Sequence, residues 1–407
     1  MFKSAVRPVT WTKERQLIGA ILAADWSATA KRSWDRTLFL GIDWTKIPNL
    51  AWQYKIRPMM AAALREAGWV DVPPVIRAEV ESAERQCARK AIWQLKLLAA
   101  ITTAAERRTI RVIALKGVTL SLHLYGDPFI REAFDLDLLV HPDDSARFEE
   151  VLQAQGCAPL SQGAPLTPRQ MAILRRFHHD KRFRHAESGV MVESHNMLDH
   201  NPHLISTDFD ALWQARGQVP LVSGSVAILG AEDLLHSFGI HASRHGWERW
   251  KWIADLAALY RRTNAADLSR QREKAAREGN QNLFDSWLLL TSAVTGMALP
   301  QMALDRAARN KQARVLAEGA LRISSGEHTP GTITGRRNLL RQAAYRFGLK
   351  RSPRYVAFEL ADLFHRDGDW YALRLSDRLI WVYYLVRPIS IVWRLASALF
   401  QRRSKEP

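Results

Sequence analysis

Cysteine is scarce in this chain: only Cys87 and Cys157 occur in 407 residues. Two cysteines so far apart build neither a disulfide framework nor a cysteine metal site, which predicts a reducing, cytoplasmic setting. The opening "MFKSAVRPVTWTKERQ" has no apolar core followed by a small-residue cleavage site, so no signal peptide is expected. No internal repeat is visible, and no HExxH motif occurs, which argues against a zincin. Long uninterrupted apolar runs are lacking too. The strongest candidate, "LIWVYYLVRPISIVWRLASALFQRR" (379–403), is broken by Arg387, Pro388 and Arg394. A spanning helix needs about 20 predominantly apolar residues, and a central arginine costs several kcal/mol. A helix docked on the body, or lying in a membrane interface, fits better.

Acidic residues are also in deficit. Against 58 Lys and Arg stand 41 Asp and Glu, a formal charge of +17. Residues 331–407 hold 15 basic and 6 acidic side chains, a local +9, so more than half of the excess lies in the last fifth of the chain. Such a field attracts nucleic acid, a nucleotide-linked substrate or an acidic membrane surface, and charge alone does not separate these. Hydrophobic content of 47% and charged content of 24% are those of a globular protein long enough for two or three domains.

Residues 1–108 read as helical, from the apolar spacing of "RQLIGAILAADW" and of the long segment that follows Pro73-Pro74. Residues 109–228 change character. "IRVIALKG" reads as a buried strand ending at Gly117, "VTLSLHLYGD" as a short helix and "EAFDLDLLV" as a second strand. "PDDSARFEEVLQAQG" reads as a helix, and "HHDKRFRHAESGVMVESHNM" as a hairpin around a glycine-containing turn. Residues 229–325 return to amphipathic helices, one of them capped by Asn264. Residues 326–407 form a basic region with an apolar aromatic helix, and "SSGEHTPGTITG" (324–335) is the best linker candidate. The expected fold is α+β: a small mixed sheet flanked by helical regions on both sides.

The chemistry centres on "EAFDLDLLV". Asp135 and Asp137 sit one residue apart on a strand and therefore share a face. At roughly 5 Å and an effective dielectric of about 20, two such charges repel by about 3 kcal/mol. A divalent cation turns this repulsion into attraction, and Mg²⁺ (or Mn²⁺) leaves open positions for phosphate oxygens. Upstream, Lys116-Gly117 joins a strand to a helix start, whose free N–H groups suit phosphate. Downstream, "VMVESH" places Glu193 on a strand as a third carboxylate, as a two-metal site requires.

These parts, in this order, resemble the uncharacterised nucleotidyltransferase family of the polymerase-β-like superfamily. "LKGVTLSLHLYGDPFIREAFDLDLLVHPDD", "VMVESHNM", "HSFGIHASRHGWERWKWIADLAAL" and "WVYYLVRPISIVW" carry the resemblance, over about residues 15 to 395. Its sharpest parts are Lys116-Gly117, Arg131 with Asp135-x-Asp137, and Glu193-x-His195. The resemblance implies a mixed sheet bearing metal-binding carboxylates on adjacent strands, and use of an NTP with release of pyrophosphate. Asp135, Asp137 and Glu193 would be the catalytic and metal-binding acids. Lys116, Gly117, Thr119, Arg131 and His195 would contact nucleotide. One departure stands out: the wider superfamily has Gly-Gly or Gly-Ser after the first strand, whereas here Gly117 is followed by Val118, with Thr119 the nearest hydroxyl.

Other residues invite weighing. Arg131, on the loop entering the acid-bearing strand, suits a bidentate phosphate clamp or is a surface arginine. His195 shares a face with Glu193, as a partner that orients a metal-binding carboxylate, an acceptor-site base or a sheet histidine satisfied by its neighbours. In "FHHDKRFRH" (177–185), strand alternation separates His178 from His179 and His185, which disfavours a zinc site. His241, His245 and Asp255 suggest a polar network between two helices, and Trp247, Trp250 and Trp252 read as core. The expected activity is metal-dependent transfer of an NMP to an acceptor left open: RNA, protein, a small molecule or a sugar phosphate. The rivals are a non-catalytic nucleotide- or nucleic-acid-binding scaffold, and a peripheral membrane enzyme of envelope glycan synthesis.

Overall fold

The computed structural model describes residues 11–160, 166–174, 176–177, 180–222, 224–324, 333–365, 370–371, 373 and 375–388. Four helices come first: α1 (Lys13–Ala23), α2 (Ile47–Tyr54), α3 (Arg57–Glu66) and α4 (Pro74–Arg107). Thr12 caps α1 by accepting from the Arg15 N–H. Proline stands in the first turn of α2, α3 and α4, where its missing N–H has no intrahelical partner to lose.

The middle of the chain alternates strands with helices. In order these are β1 (Val112–Ala114), α5 (Val118–Tyr125), β2 (Asp135–Val140), α6 (Ser145–Ala154), β3 (Cys157–Pro159), α7 (Pro168–Leu174), β4 (Asp180–His185), β5 (Met191–His195), α8 (Phe209–Gln214), β6 (Gly217–Leu221) and β7 (Gly224–Ile228). One seven-stranded sheet results, ordered β3-β4-β5-β2-β1-β7-β6. β2 runs parallel to β5 and β1 parallel to β7, while the other neighbours are antiparallel. The sheet is thus mixed, as expected, but larger. The β6–β7 hairpin and the edge strand β3 were not anticipated. The first strand closes its ladder at Ala114 rather than Gly117, although the Leu115 N–H still donates to the Asp137 carbonyl at 2.9 Å.

Strand periodicity divides β2 between two cores. Leu136, Leu138 and Val140 pack with Leu97, Leu98 and Ile101 of α4 and with Phe148 and Leu152 of α6. Asp135, Asp137 and Leu139 point to the other face, and Leu139 belongs to the larger cluster, which also takes in α5 and most later helices. That second face is covered by α9 (Ala231–Arg244) and α10 (Lys251–Arg261). Trp247, Trp250 and Trp252, between and at the start of these helices, are all buried.

Helices α11 (Ala265–Arg277), α12 (Gln281–Thr295), α13 (Gln301–Arg309), α14 (Lys311–Ser324), α15 (Ile333–Gly348) and α16 (Pro353–Asp362) follow. Asn264 caps α11 in a reciprocal box with Asp267, as its position predicts. Most of the linker candidate lies outside the described residues; its ends fall in α14 and α15. A buried ionic network ties α16 to the body: Glu359 accepts from Arg244 at 2.7 Å, Arg346 at 2.9 Å and Asn201 at 2.8 Å.

The C-terminal apolar segment is described as far as residue 388, helical over 380–388. Ile380 and Tyr383 pack with Leu174 of α7 and with Trp370, whose ring stacks on Tyr383 at 4.5 Å. Trp381 and Leu385 stay more than half exposed. Among the described residues, no helix is long and apolar enough to cross a membrane.

Candidate active site

Backbone geometry sets the site before any side chain does. Gly117 adopts φ +83° and ψ −144°, a region essentially closed to residues with a Cβ. A Cβ there would also lie 2.8 Å from the Asp135 carbonyl oxygen. The Lys116-Gly117 loop therefore rests on the start of β2, and α5 begins at the next residue.

The parallel pairing of β2 with β5 then sets Asp137 opposite Glu193 and Leu139 opposite His195. One donor atom each from Asp137, Glu193 and His195 lies within 4.8 Å of the others. His195 Nε2 is 3.2 Å from Asp137 Oδ1 and 3.6 Å from Glu193 Oε2. Lys116 reaches in from the loop, its Nζ 3.0 Å from the same Asp137 Oδ1 and 3.4 Å from His241 Nε2 on α9. Asp135, one step up the strand, is half-buried on the wall of the pocket.

Here the repulsion between Asp135 and Asp137 meets two protein cations. Burial alone would raise the pKa of Asp137, but Lys116 and the His195 hydrogen bond outweigh it and hold the carboxyl well below its usual range. Burial would likewise discharge His195, yet the bonds to Asp137 and Glu193 lift it to about 9. For Asp135 the balance goes the other way: burial, then Asp137, outweigh the pull of Lys116 and Lys251 and push it up to about 6. Lys116 is raised, its desolvation outweighed by Asp137, Asp135 and Glu193.

Asp137 has no exposed surface, and its second oxygen, Oδ2, has no hydrogen-bond partner among the described residues. An orphaned carboxylate oxygen beside a second carboxylate and an imidazole is a donor set that a divalent cation fits. Sequence reasoning named Asp135, Asp137 and Glu193 as ligands; the tightest group instead joins Asp137 and Glu193 to His195, with Asp135 at its edge.

The site opens into a pocket of about 540 Å³, a size suited to a small ligand. Glu193, His195, His241, Arg249, Lys251 and Trp252 are among its walls. Arg131 reaches the pocket too, but its guanidinium is engaged. Nε donates to Asp255 at 2.9 and 3.0 Å, and Nη1 to the Gly117 carbonyl at 3.3 Å. Asp255 is fully buried and also accepts from the Tyr125 hydroxyl at 2.8 Å. So Arg131 braces the glycine loop while also lining the pocket. Thr119 is buried in the first turn of α5, its hydroxyl without a partner among the described residues. The expected network of His241, His245 and Asp255 divides: the two rings meet at a 54° tilt near Lys116, with centroids 4.7 Å apart, while Asp255 serves Arg131. His178 and His179 lie outside the described residues. Arg249 and Lys251 were not singled out beforehand; basic residues alternating with tryptophan in "WERWKW" are the signal that marks them.

Among curated proteins, none matches the chain. The model of the family described as "Uncharacterised nucleotidyltransferase" matches residues 41–296, more than half of the chain and the whole of the site just described. With Lys116-Gly117, the Asp-x-Asp strand and Glu193 all inside that match, the chain belongs to the uncharacterised nucleotidyltransferase family.

Proposed function

We propose that this protein is a metal-dependent nucleotidyltransferase that moves an NMP from an NTP to a hydroxyl or phosphate acceptor and releases pyrophosphate. The observation that carries this reading is the side-by-side placement of Asp137 and Glu193 on neighbouring parallel strands, beneath the Lys116-Gly117 loop. Asp137, Glu193 and His195 would hold a divalent cation, Mg²⁺ or Mn²⁺, with Asp135 completing the acidic edge. When bound, that cation supplies positive charge for the phosphate oxygens.

The chain's own residues account for the remaining requirements. Lys116 brings a cation to the acids, and the helix start after Gly117 offers N–H groups to phosphate. Glu193, less buried than Asp137, is placed to take the acceptor's proton. The acceptor oxygen forms a bond to the α-phosphorus as the bond to the bridging oxygen breaks, and the electron pair leaves with pyrophosphate. Positioning and charge stabilisation then supply most of the rate.

Asp137→Asn should abolish transfer of label from an α-labelled NTP into cell extract, with circular dichroism unchanged. Undiminished transfer by the purified variant overturns the assignment. A second feature bears on where the enzyme works: Trp381 and Leu385 are exposed, and the sequence that follows them is basic, which favours contact with an acidic membrane surface.

A further inference from the structure

Phe134, the residue before the acid-bearing strand, has four cations around its ring. Lys90 Nζ is 4.7 Å from the ring centroid, Lys55 Nζ 4.9 Å, Lys251 Nζ 5.3 Å and Arg249 Cζ 5.9 Å. They come from three separate parts of the chain: the end of α2, the middle of α4 and the entry to α10. A ring face attracts a cation, but it does not screen four of them from one another.

Three carboxylates lie nearby, and among the described residues none forms an ion pair with the lysines: Asp135 acts on Lys90 and Lys251 only from a distance. Glu132 is buried and clamped by Arg57 through two bonds of 2.6 and 2.9 Å. Glu248 lies 3.7 Å from Arg249. Among the described residues, none of the three lysines has a carboxylate within ion-pair distance. Lys251 is 5% exposed and donates to a backbone carbonyl, that of Glu132, at 2.8 Å. Lys55 holds a left-handed backbone (φ +59°), and its ammonium also sits 3.8 Å from the Trp52 ring. Burial is the first cause that lowers all three lysines; Arg131 and Arg249 then help bring Lys251 down to about 7, and Arg249 and Arg57 add to the lowering of Lys55.

We infer that Lys55, Lys90, Arg249 and Lys251 form, around Phe134, a binding site for a phosphate or diphosphate group. Phe134 is half-buried and Lys251 buried, which suits a compact anion better than a long polymer. Arg249 and Lys251 also line the catalytic pocket, which puts the anion next to Asp135. Its assignment to a substrate rests on the nucleotidyl-transfer reading; the anion site itself does not. Two sources share this chemistry: the triphosphate of the NTP and a phosphate borne by the acceptor.

Calorimetric titration of the full chain with inorganic pyrophosphate at low salt tests the site. The double variant Lys55→Gln/Lys90→Gln breaks no ion pair and is checked for folding by circular dichroism. It should bind pyrophosphate about tenfold more weakly than the parent. A parallel titration with a non-hydrolysable NTP and Mg²⁺ names the source. Weakening by a similar factor assigns the site to the triphosphate, and unchanged NTP affinity assigns it to the acceptor. Absence of pyrophosphate binding by the parent, or a loss below threefold in the double variant, overturns the site. Neither result touches the transfer reading, which stands or falls with Asp137→Asn.

Discussion

Lys116 Nζ lies 3.0 Å from Asp137 Oδ1, an ammonium set against a carboxylate with no exposed surface. Removing one member of such a pair leaves the other buried and poorly compensated. Lys116→Met should destabilise the metal-free protein by about 3 kcal/mol in urea. The double variant Lys116→Met/Asp137→Asn should lose less than the sum of the single changes, with a coupling of about 1–3 kcal/mol. Strict additivity would show that the two charges do not depend on each other.

Gly117 is the second point of leverage. A methyl group there meets the backbone oxygen of Asp135 at 2.8 Å, and that strand has little room to retreat. Gly117→Ala should cost roughly 1–3 kcal/mol of stability. Because the displaced strand carries both aspartates, the variant should also lose transfer activity at temperatures where it remains folded. Thermal unfolding and the α-label assay, run side by side, separate the two effects. Full activity in a destabilised variant would deny the loop its positioning role.

The charge on His195 makes stability depend on pH. Its pKa is raised in the folded state, from 6.5 to about 9, so its contribution is complete below pH 6.5 and disappears as pH climbs through 9. The loss is on the order of 3 kcal/mol for the metal-free chain. His195→Gln should flatten the curve over this window. Added Mn²⁺ should restore most of the alkaline loss, since a cation among the same acids replaces the proton. Urea midpoints measured from pH 6 to 9.5, with and without Mn²⁺, check both statements.

The outward-facing aromatic at the C-terminal end gives a fourth expectation. Vesicles containing anionic lipid should carry the full chain upward on flotation, and Trp381→Ser/Leu385→Ser should leave most of it behind. Equal recovery of parent and variant, or of neither, would remove the membrane contact.

Much of this site is legible in the linear order of residues. Strand alternation alone sets Asp135 and Asp137 on one face, and a glycine between strand and helix announces a tight loop. What stayed hidden depends on register and on distant partners. Nothing near Arg131 foretells that Asp255, from a helix 124 residues later, takes its guanidinium. Strand alternation puts His195 beside Glu193, but its contact with Asp137 depends on the parallel pairing of β5 with β2. The hairpin of β6 and β7 is hard to see in the sequence because one of its strands carries Pro220, a residue that demotes a strand reading.

Helix α4 runs for 34 residues, about 50 Å end to end. Its first half, through Ile76 and Val80, packs into the larger core, and its second half, through Leu97, Leu98 and Ile101, roofs the sheet beneath the acids. A chain cut to start at residue 109 would therefore bare one side of the catalytic sheet to water. Helix α4 is thus a permanent wall of the fold, and shortening the protein to its motif-bearing middle should yield aggregate instead of a folded core.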